Sequence, residues 1–193
     1  MSAFGATVRA DLRRCLGDKP GSMTRVLSSL WHDMGLQAVL VYRCGRWLCA
    51  ARRRPVLWPL LPLGWLLYWM SALWVRAAYG IRLALSADIG AGFWVGHFGG
   101  IEIVNCQLGE QCSVGQQTKV GRAAEAGGPL IGNGVWIGAH ARIFGAVRIG
   151  DRATIAPGAQ VTRNVPGQAL VVGAPGRVAL RFDNTQIMPR PQA

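Results

Sequence analysis

Between Ile131 and Val161 an aliphatic residue recurs at every sixth position: Ile131, Ile137, Ile143, Ile149, Ile155 and Val161. The stretch divides into IGNGVW, IGAHAR, IFGAVR, IGDRAT, IAPGAQ and VTRNVP. Gly follows the opening aliphatic at positions 132, 138 and 150, and Val135, Ala141, Val147, Ala153, Ala159 and Val165 hold the fifth place. A period of six fits neither the 3.6 of a helix nor the alternation of a single strand. It is a repeat, and a repeat decides the fold before local structure is assigned. The same register runs upstream through Ile89, Val95 and Ile101 and, after one extra residue, Leu108, Val114 and Val120. Eleven residues separate Val120 from Ile131, so a loop at 122–130 (RAAEAGGPL) is expected to leave the repeat there.

A six-residue unit accommodates one short strand and one turn. Three units close a triangular coil, and coils stack with their opening aliphatics on the axis. Gly beside that residue suits a corner that needs positive φ or a close backbone approach. The reading is a mainly β protein: a left-handed parallel β-helix of four coils, preceded by an α-helical segment.

Upstream the pattern changes. Residues 21–34 read as a modestly amphipathic helix. Residues 36–51 read as a stronger one, with Leu40, Tyr42, Cys44, Trp47 and Leu48 apolar, ending at RRRP, 52–55. Residues 55–75 (PVLWPLLPLGWLLYWMSALWV) carry no charge and reach the length of a membrane span. Pro55, Pro59 and Pro62 break its first third. Its Trp residues are spread along it rather than gathered at the ends, and Arg flanks both sides. A helix lying in a membrane interface, or a re-entrant hairpin, fits these features best; packing against sister subunits and a true span remain as alternatives. Residues 1–20 lack the pattern of a secretory signal. The chain thus divides into a basic, Trp-rich helical segment (1–80), a β-helix domain (81–178) and a tail (179–193), expected to be loosely held.

The net charge is +12, with eleven basic residues against three acidic in residues 1–80 and ten against six in the rest. No nucleic-acid-binding module accompanies that charge, so nucleic acid is not an expected partner. Five Cys (15, 44, 49, 106 and 112) make an odd set without a CxxC pair. This argues against a disulfide framework or zinc knuckle and for a reducing compartment. Most of the five are expected as small core residues.

Candidate chemistry rests on three His. His32 lies in the helical segment and His140 at or near a corner. His97 stands in VGHFGG, where Gly96, Gly99 and Gly100 leave backbone open to a ligand. Only two His lie in the coils, far apart in repeat count, and catalytic zinc needs three ligands, so no metal site is expected. Taken alone, a single His is more often structural than catalytic.

The hexads, GHFGG at 96–100, the loop before PLIGNGVWIGAHARIFG and VVGAPGRV at 171–178 together resemble the serine acetyltransferase-like branch of hexapeptide acyltransferases. The resemblance covers roughly residues 80–178. It implies a homotrimer with active sites between subunits, acetyl-CoA as donor along the groove between β-helices, and His97 as general base on an acceptor hydroxyl. An imidazole of pKa about 6.5 suits that task at neutral pH. The charge collecting on the thioester oxygen needs a fixed donor, with Gly121 or Arg122 in the matching position. The resemblance further assigns Gly138 and Ala139 to the pantetheine arm, with Thr154 and Pro157 stacked next to them. Arg163 and Arg177 are candidates for the coenzyme phosphates. Gly96 and Asn105 are candidates for acceptor binding.

The chain departs from serine acetyltransferases in four places. Gly96 replaces the Asp before the catalytic His, and AGGP (126–129) replaces the serine-gripping DRHP. Arg82 stands where an acid orients the His, with Glu102 the candidate substitute. The chain ends PRPQA rather than in the Ile that docks cysteine synthase, so that partner is not expected. A closer similarity to relatives in exopolysaccharide and capsule gene clusters implies an O-acetyltransferase acting on a sugar hydroxyl of a polysaccharide or its lipid-linked precursor. Such an enzyme would sit at the cytoplasmic face of the plasma membrane as a peripheral protein. Serine O-acetyltransferase is the first alternative and a non-catalytic scaffold the second.

Overall fold

The computed structural model describes residues 2–16, 32–53, 55–96, 99–121 and 127–181. Much of the segment expected as a helix over 21–34, and the tail beyond Arg181, lie outside these residues. The remainder of the N-terminal part is α1 (Ser2–Leu16), α2 (Met34–Ala51), a 3-10 segment (Pro55–Leu60) and α3 (Leu61–Tyr79). Asp33 caps α2 by accepting from Leu36 N at 2.9 Å. The prolines of the uncharged run shape its ends rather than its middle: Pro59 lies in the 3-10 segment, and Pro62 falls in the first turn of α3, where a missing N–H costs nothing. Gly80, at φ 65°, closes α3 as a left-handed cap. No helix among the described residues is long and apolar enough to cross a membrane.

Fifteen short strands follow among the described residues. In chain order they are β1 (Ile81–Leu83), β2 (Asp88–Ile89), β3 (Trp94–Val95), β4 (Ile101–Ile103), β5 (Gln107–Leu108), β6 (Ser113–Val114), β7 (Lys119–Val120), β8 (Leu130–Ile131), β9 (Trp136–Ile137), β10 (Arg142–Ile143), β11 (Arg148–Ile149), β12 (Thr154–Ile155), β13 (Gln160–Val161), β14 (Ala169–Val172) and β15 (Arg177–Arg181). They form three parallel faces: β1-β4-β7-β10-β13, β2-β5-β8-β11, and β3-β6-β9-β12-β14. An antiparallel β15 closes the third face. This is a parallel β-helix of about four coils with a helical segment before it, as the hexads require.

The inward columns are the opening aliphatics: Ile89, Leu108, Ile131 and Ile149 on one face, and Val95, Val114, Ile137, Ile155 and Val171 on another. The fifth-place residues fill the space between columns, so Val135, Ala141, Ala153 and Ala159 are fully buried. One unit differs from the sequence reading. Ile103, not Ile101, pairs with Val120; Ile101 pairs with Ile81 one coil earlier. Both are fully buried. The repeat therefore stretches between Val95 and Ile103, across the GHFGG corner, and tightens before Leu108.

The Gly of each hexad answers a different need from positive φ. A Cβ on Gly138 would stand 2.6 Å from Pro157 N and 2.8 Å from Ile155 O of the next coil. Close backbone approach is the reason for Gly there, while the left-handed corner positions fall to residues such as Gln117, His140 and Arg152. Cys106 and Cys112 are core residues as expected, but Cys15 is half-buried and Cys44 and Cys49 are exposed. The latter two sit on the outer side of α2, where no coil covers them.

The helices share the core of the coils: Ala38, Val39, Tyr42 and Val75 are buried together with Ile81, Ile89 and Val95. A buried ion pair pins the junction. Asp11, fully buried on α1, accepts from Arg43 Nε at 2.9 Å and from Phe93 N at 2.9 Å. Arg43 also donates to Ile89 O and Gly90 O, both at 2.6 Å.

Candidate active site

The GHFGG corner leaves β3 at Gly96. A Cβ there would press to 2.8 Å from two ring atoms of Trp94, so a side chain at this position requires the indole to shift. His97 and Phe98 lie outside the described residues. The chain is described again at Gly99 and Gly100, with φ of 113° and 63°, a region that strongly favours glycine. Two backbone bonds fix the corner: Gly99 N donates to Tyr79 O at 3.0 Å, and Gln117 N donates to Gly99 O at 2.7 Å. Tyr79 is itself held, its hydroxyl donating to Gln37 Oε1 at 2.7 Å. The cap of α3 approaches so closely that a Cβ on Gly80 would sit 2.9 Å from Gly100 N. Helices α2 and α3 and the next coil thus brace the residues on either side of His97. Sequence reasoning missed this bracing; its one signal was Gly80 directly before the first coil aliphatic, a helix-stop pattern.

Glu102 lies on the outer side of β4, in register between Arg82 on β1 and Lys119 on β7. Its Oε1 accepts from Arg82 Nη1 at 2.7 Å, with both side chains partly exposed. The arginine that replaces the family's acid and the glutamate proposed in its stead are therefore partners. Asn105 follows at a left-handed corner, φ 51°, its N–H on Ser86 Oγ. Gly121, at φ 73°, donates its N–H to Ile143 O at 2.8 Å, which engages that group within the coil. Arg122 lies outside the described residues.

The positions matched to the donor fall on successive coils. Gly138 stacks on Pro157, and Ala139 O accepts from Gly158 N at 2.8 Å, so the three share one corner. Thr154 lies beside Trp136 in register on the third face; it is buried, and its Oγ1 has no hydrogen-bond partner among the described residues. Arg163 and Arg177 are exposed at the end of the helix, Arg177 next to Gly176, whose N–H bonds to Gln160 O at 2.7 Å. Among the described residues, no group of three or more His, Cys, Asp or Glu could hold a metal ion.

The bacterial transferase hexapeptide model (six repeats) matches residues 128–163. The serine acetyltransferase of Synechococcus elongatus is 30% identical over 179 residues, covering 91% of this chain and 68% of that protein. The Mycobacterium tuberculosis serine acetyltransferase is 29% identical over 175 residues, 89% of this chain and 71% of its own. A crystal structure of Neisseria gonorrhoeae serine acetyltransferase in complex with serine superposes with a TM-score of 0.72 at 26% identity, covering 93% of this chain and 70% of that one.

These similarities overturn the polysaccharide reading. That reading rests on the departures at Gly96, AGGP, Arg82 and the C-terminal residues, and on GHFGG with a basic, Trp-rich leader as shared features of sugar-acting relatives. An alignment covering 91% of this chain includes most of that leader, so the helices are common ground with serine acetyltransferases. The glycan acceptor falls with it. The chain belongs to the acetyl-CoA-dependent hexapeptide-repeat acetyltransferases, with serine acetyltransferases among its homologues.

Proposed function

We propose that the protein transfers an acetyl group from acetyl-CoA to the hydroxyl of serine, giving O-acetylserine and free CoA. The observation that carries this reading is 30% identity to a serine acetyltransferase over 91% of the chain. Serine acetyltransferase-like hexapeptide proteins are typically trimers, and we take this chain to form a homotrimer with its sites between neighbouring β-helices.

His97 is the general base. The hydroxyl of serine becomes an effective nucleophile only as its proton leaves, and a neutral imidazole accepts that proton as the new C–O bond forms. The glycines beside it support this role, because a braced corner with little side-chain bulk admits both acceptor and thioester. Glu102 serves as the acid that orients the imidazole, its carboxylate held in place by Arg82. Charge on the thioester oxygen is met by the backbone N–H of Arg122, since that of Gly121 is already engaged with Ile143 O. The tetrahedral intermediate then collapses with loss of CoA thiolate, and the imidazolium returns a proton to it.

Gly138, Ala139 and Pro157 line the pantetheine arm, with Arg163 and Arg177 on the coenzyme phosphates; Thr154, 1% exposed, lies beneath that surface rather than on it. Gly96 and Asn105 border the acceptor. The test is mass spectrometry of the products after incubation with serine and acetyl-CoA. Saturable O-acetylserine formation is expected; turnover of acetyl-CoA only with other hydroxyl acceptors would remove serine from the account.

A further inference from the structure

Helix α3 is apolar on two sides. One side, with Tyr68 and Val75, is buried against the protein. The other presents Leu63, Leu66, Leu67, Met70, Leu73 and Trp74, each 57–67% exposed. Their spacing places them on a single helical stripe. Trp58, 61% exposed, prolongs it into the 3-10 segment. The Ser71 hydroxyl is satisfied within the helix, its Oγ bonding to Leu67 O and Tyr68 O, both at 2.9 Å. A contiguous apolar face of this size marks a contact surface.

We propose that this face rests on an anionic lipid bilayer, with α3 lying in the plane of the interface. Charge selects the occupant. Exposed Arg52 and Arg53 stand before the stripe and exposed Arg76 near its end. From Met34 to Ala87 the chain carries seven Arg and no acidic residue; Arg43, Arg46 and Arg82 pair with Asp11, Asp88 and Glu102, so Arg52, Arg53 and Arg76 are the described ones that border the stripe. A second copy on the same stripe would set arginine clusters against each other, in either orientation, with no carboxylate to answer them. Lipid phosphates meet the same groups with opposite charge. Length agrees: no described helix is long and apolar enough to span, whereas a flat helix needs only a wide stripe and a basic border. Because Gly80 caps α3 against Gly100, a docked helix holds the GHFGG corner close to the lipid surface. The inference is independent of which hydroxyl accepts the acetyl group.

The test is co-sedimentation of the purified full-length chain with vesicles of phosphatidylcholine alone or mixed equally with phosphatidylglycerol. Binding to the mixed vesicles is expected to exceed binding to phosphatidylcholine by at least about tenfold and to weaken as salt rises. L67E/L73E should abolish it. R52Q/R53Q/R76Q, which changes only exposed side chains, should reduce it while circular dichroism stays unchanged. Wild-type protein that ignores both vesicles, or binds them equally, overturns the proposal. So does light scattering that shows self-association, absent in L67E/L73E, in place of vesicle binding.

Discussion

The Asp11–Arg43 pair shows how much one residue can decide. Asp11 is an isolated acid in a basic leader, and nothing in the sequence pattern around it announces a role. In the fold it is fully buried, bonded to Arg43 and to Phe93 N, and so links α1, α2 and the first coil. Truncation to Ala strands the Arg43 cation in the interior. D11A should therefore lose about 3–5 kcal/mol of unfolding free energy in urea titration. A loss below about 1 kcal/mol would mean that water or another group reaches Arg43. Gly138 makes a second case: its Cβ would meet backbone of the next coil, which cannot swing aside as a side chain can. G138A should cost about 1–3 kcal/mol.

The cysteines respond to pH through burial. Desolvation raises the Cys106 thiol to about 12 and the Cys112 thiol to about 11, from an ordinary 9.0. These thiols keep their protons in the fold at pH values where an unfolded chain has lost them. Their contribution to stability is thus complete below pH 9.0 and declines as pH rises through 9.0 toward 11 and 12. At pH 8 a thiol reagent should label exposed Cys49 and, more slowly because burial raises its thiol, Cys44, and leave Cys106 and Cys112 intact until unfolding.

At the scale of elements, the short strands were readable because one chemical demand repeats: an aliphatic must point to the axis in every unit. The GHFGG corner was not readable in the same way. Its register is stretched by glycines, and Ile101 and Ile103 are equally suited to the core, so only pairing across coils could choose Ile103 for the Val120 column. α1 escaped notice because it is held by a polar contact and by Arg14, which bonds to Gly92 O and Ser113 Oγ at 2.6 Å, rather than by a strong apolar stripe. The corner also carries a prediction. Gly100 at φ 63° faces the Gln117 side chain, so G100A must shift a corner that borders His97. Such a displacement should lower kcat by about 10²-fold, with circular dichroism of the coils retained. Full activity in G100A would show that the corner's exact path does not matter.

For the molecule as a whole, the hexads carry the fold almost completely, whereas the acceptor is written in a few side chains. Glu102 illustrates the gap: the sequence offers it as a substitute for the missing acid, but only the fold shows that Arg82, twenty residues away, is its partner. The helical leader misled for a similar reason, since its Trp and Arg content describes an exposed stripe on α3, not the chemistry of the coils. Assembly belongs to this scale too. Light scattering should return about three times the 20.8 kDa of one chain; a stable, active monomer would remove the groove between β-helices from the mechanism.

The most direct measurement is the steady-state rate of CoA release with serine as acceptor, compared between the wild-type chain and H97A. The account predicts serine-dependent release that falls by about 10²–10⁴-fold in the variant, with the trimer and its circular dichroism intact. Release that is indifferent to serine, or unchanged in H97A, would contradict it.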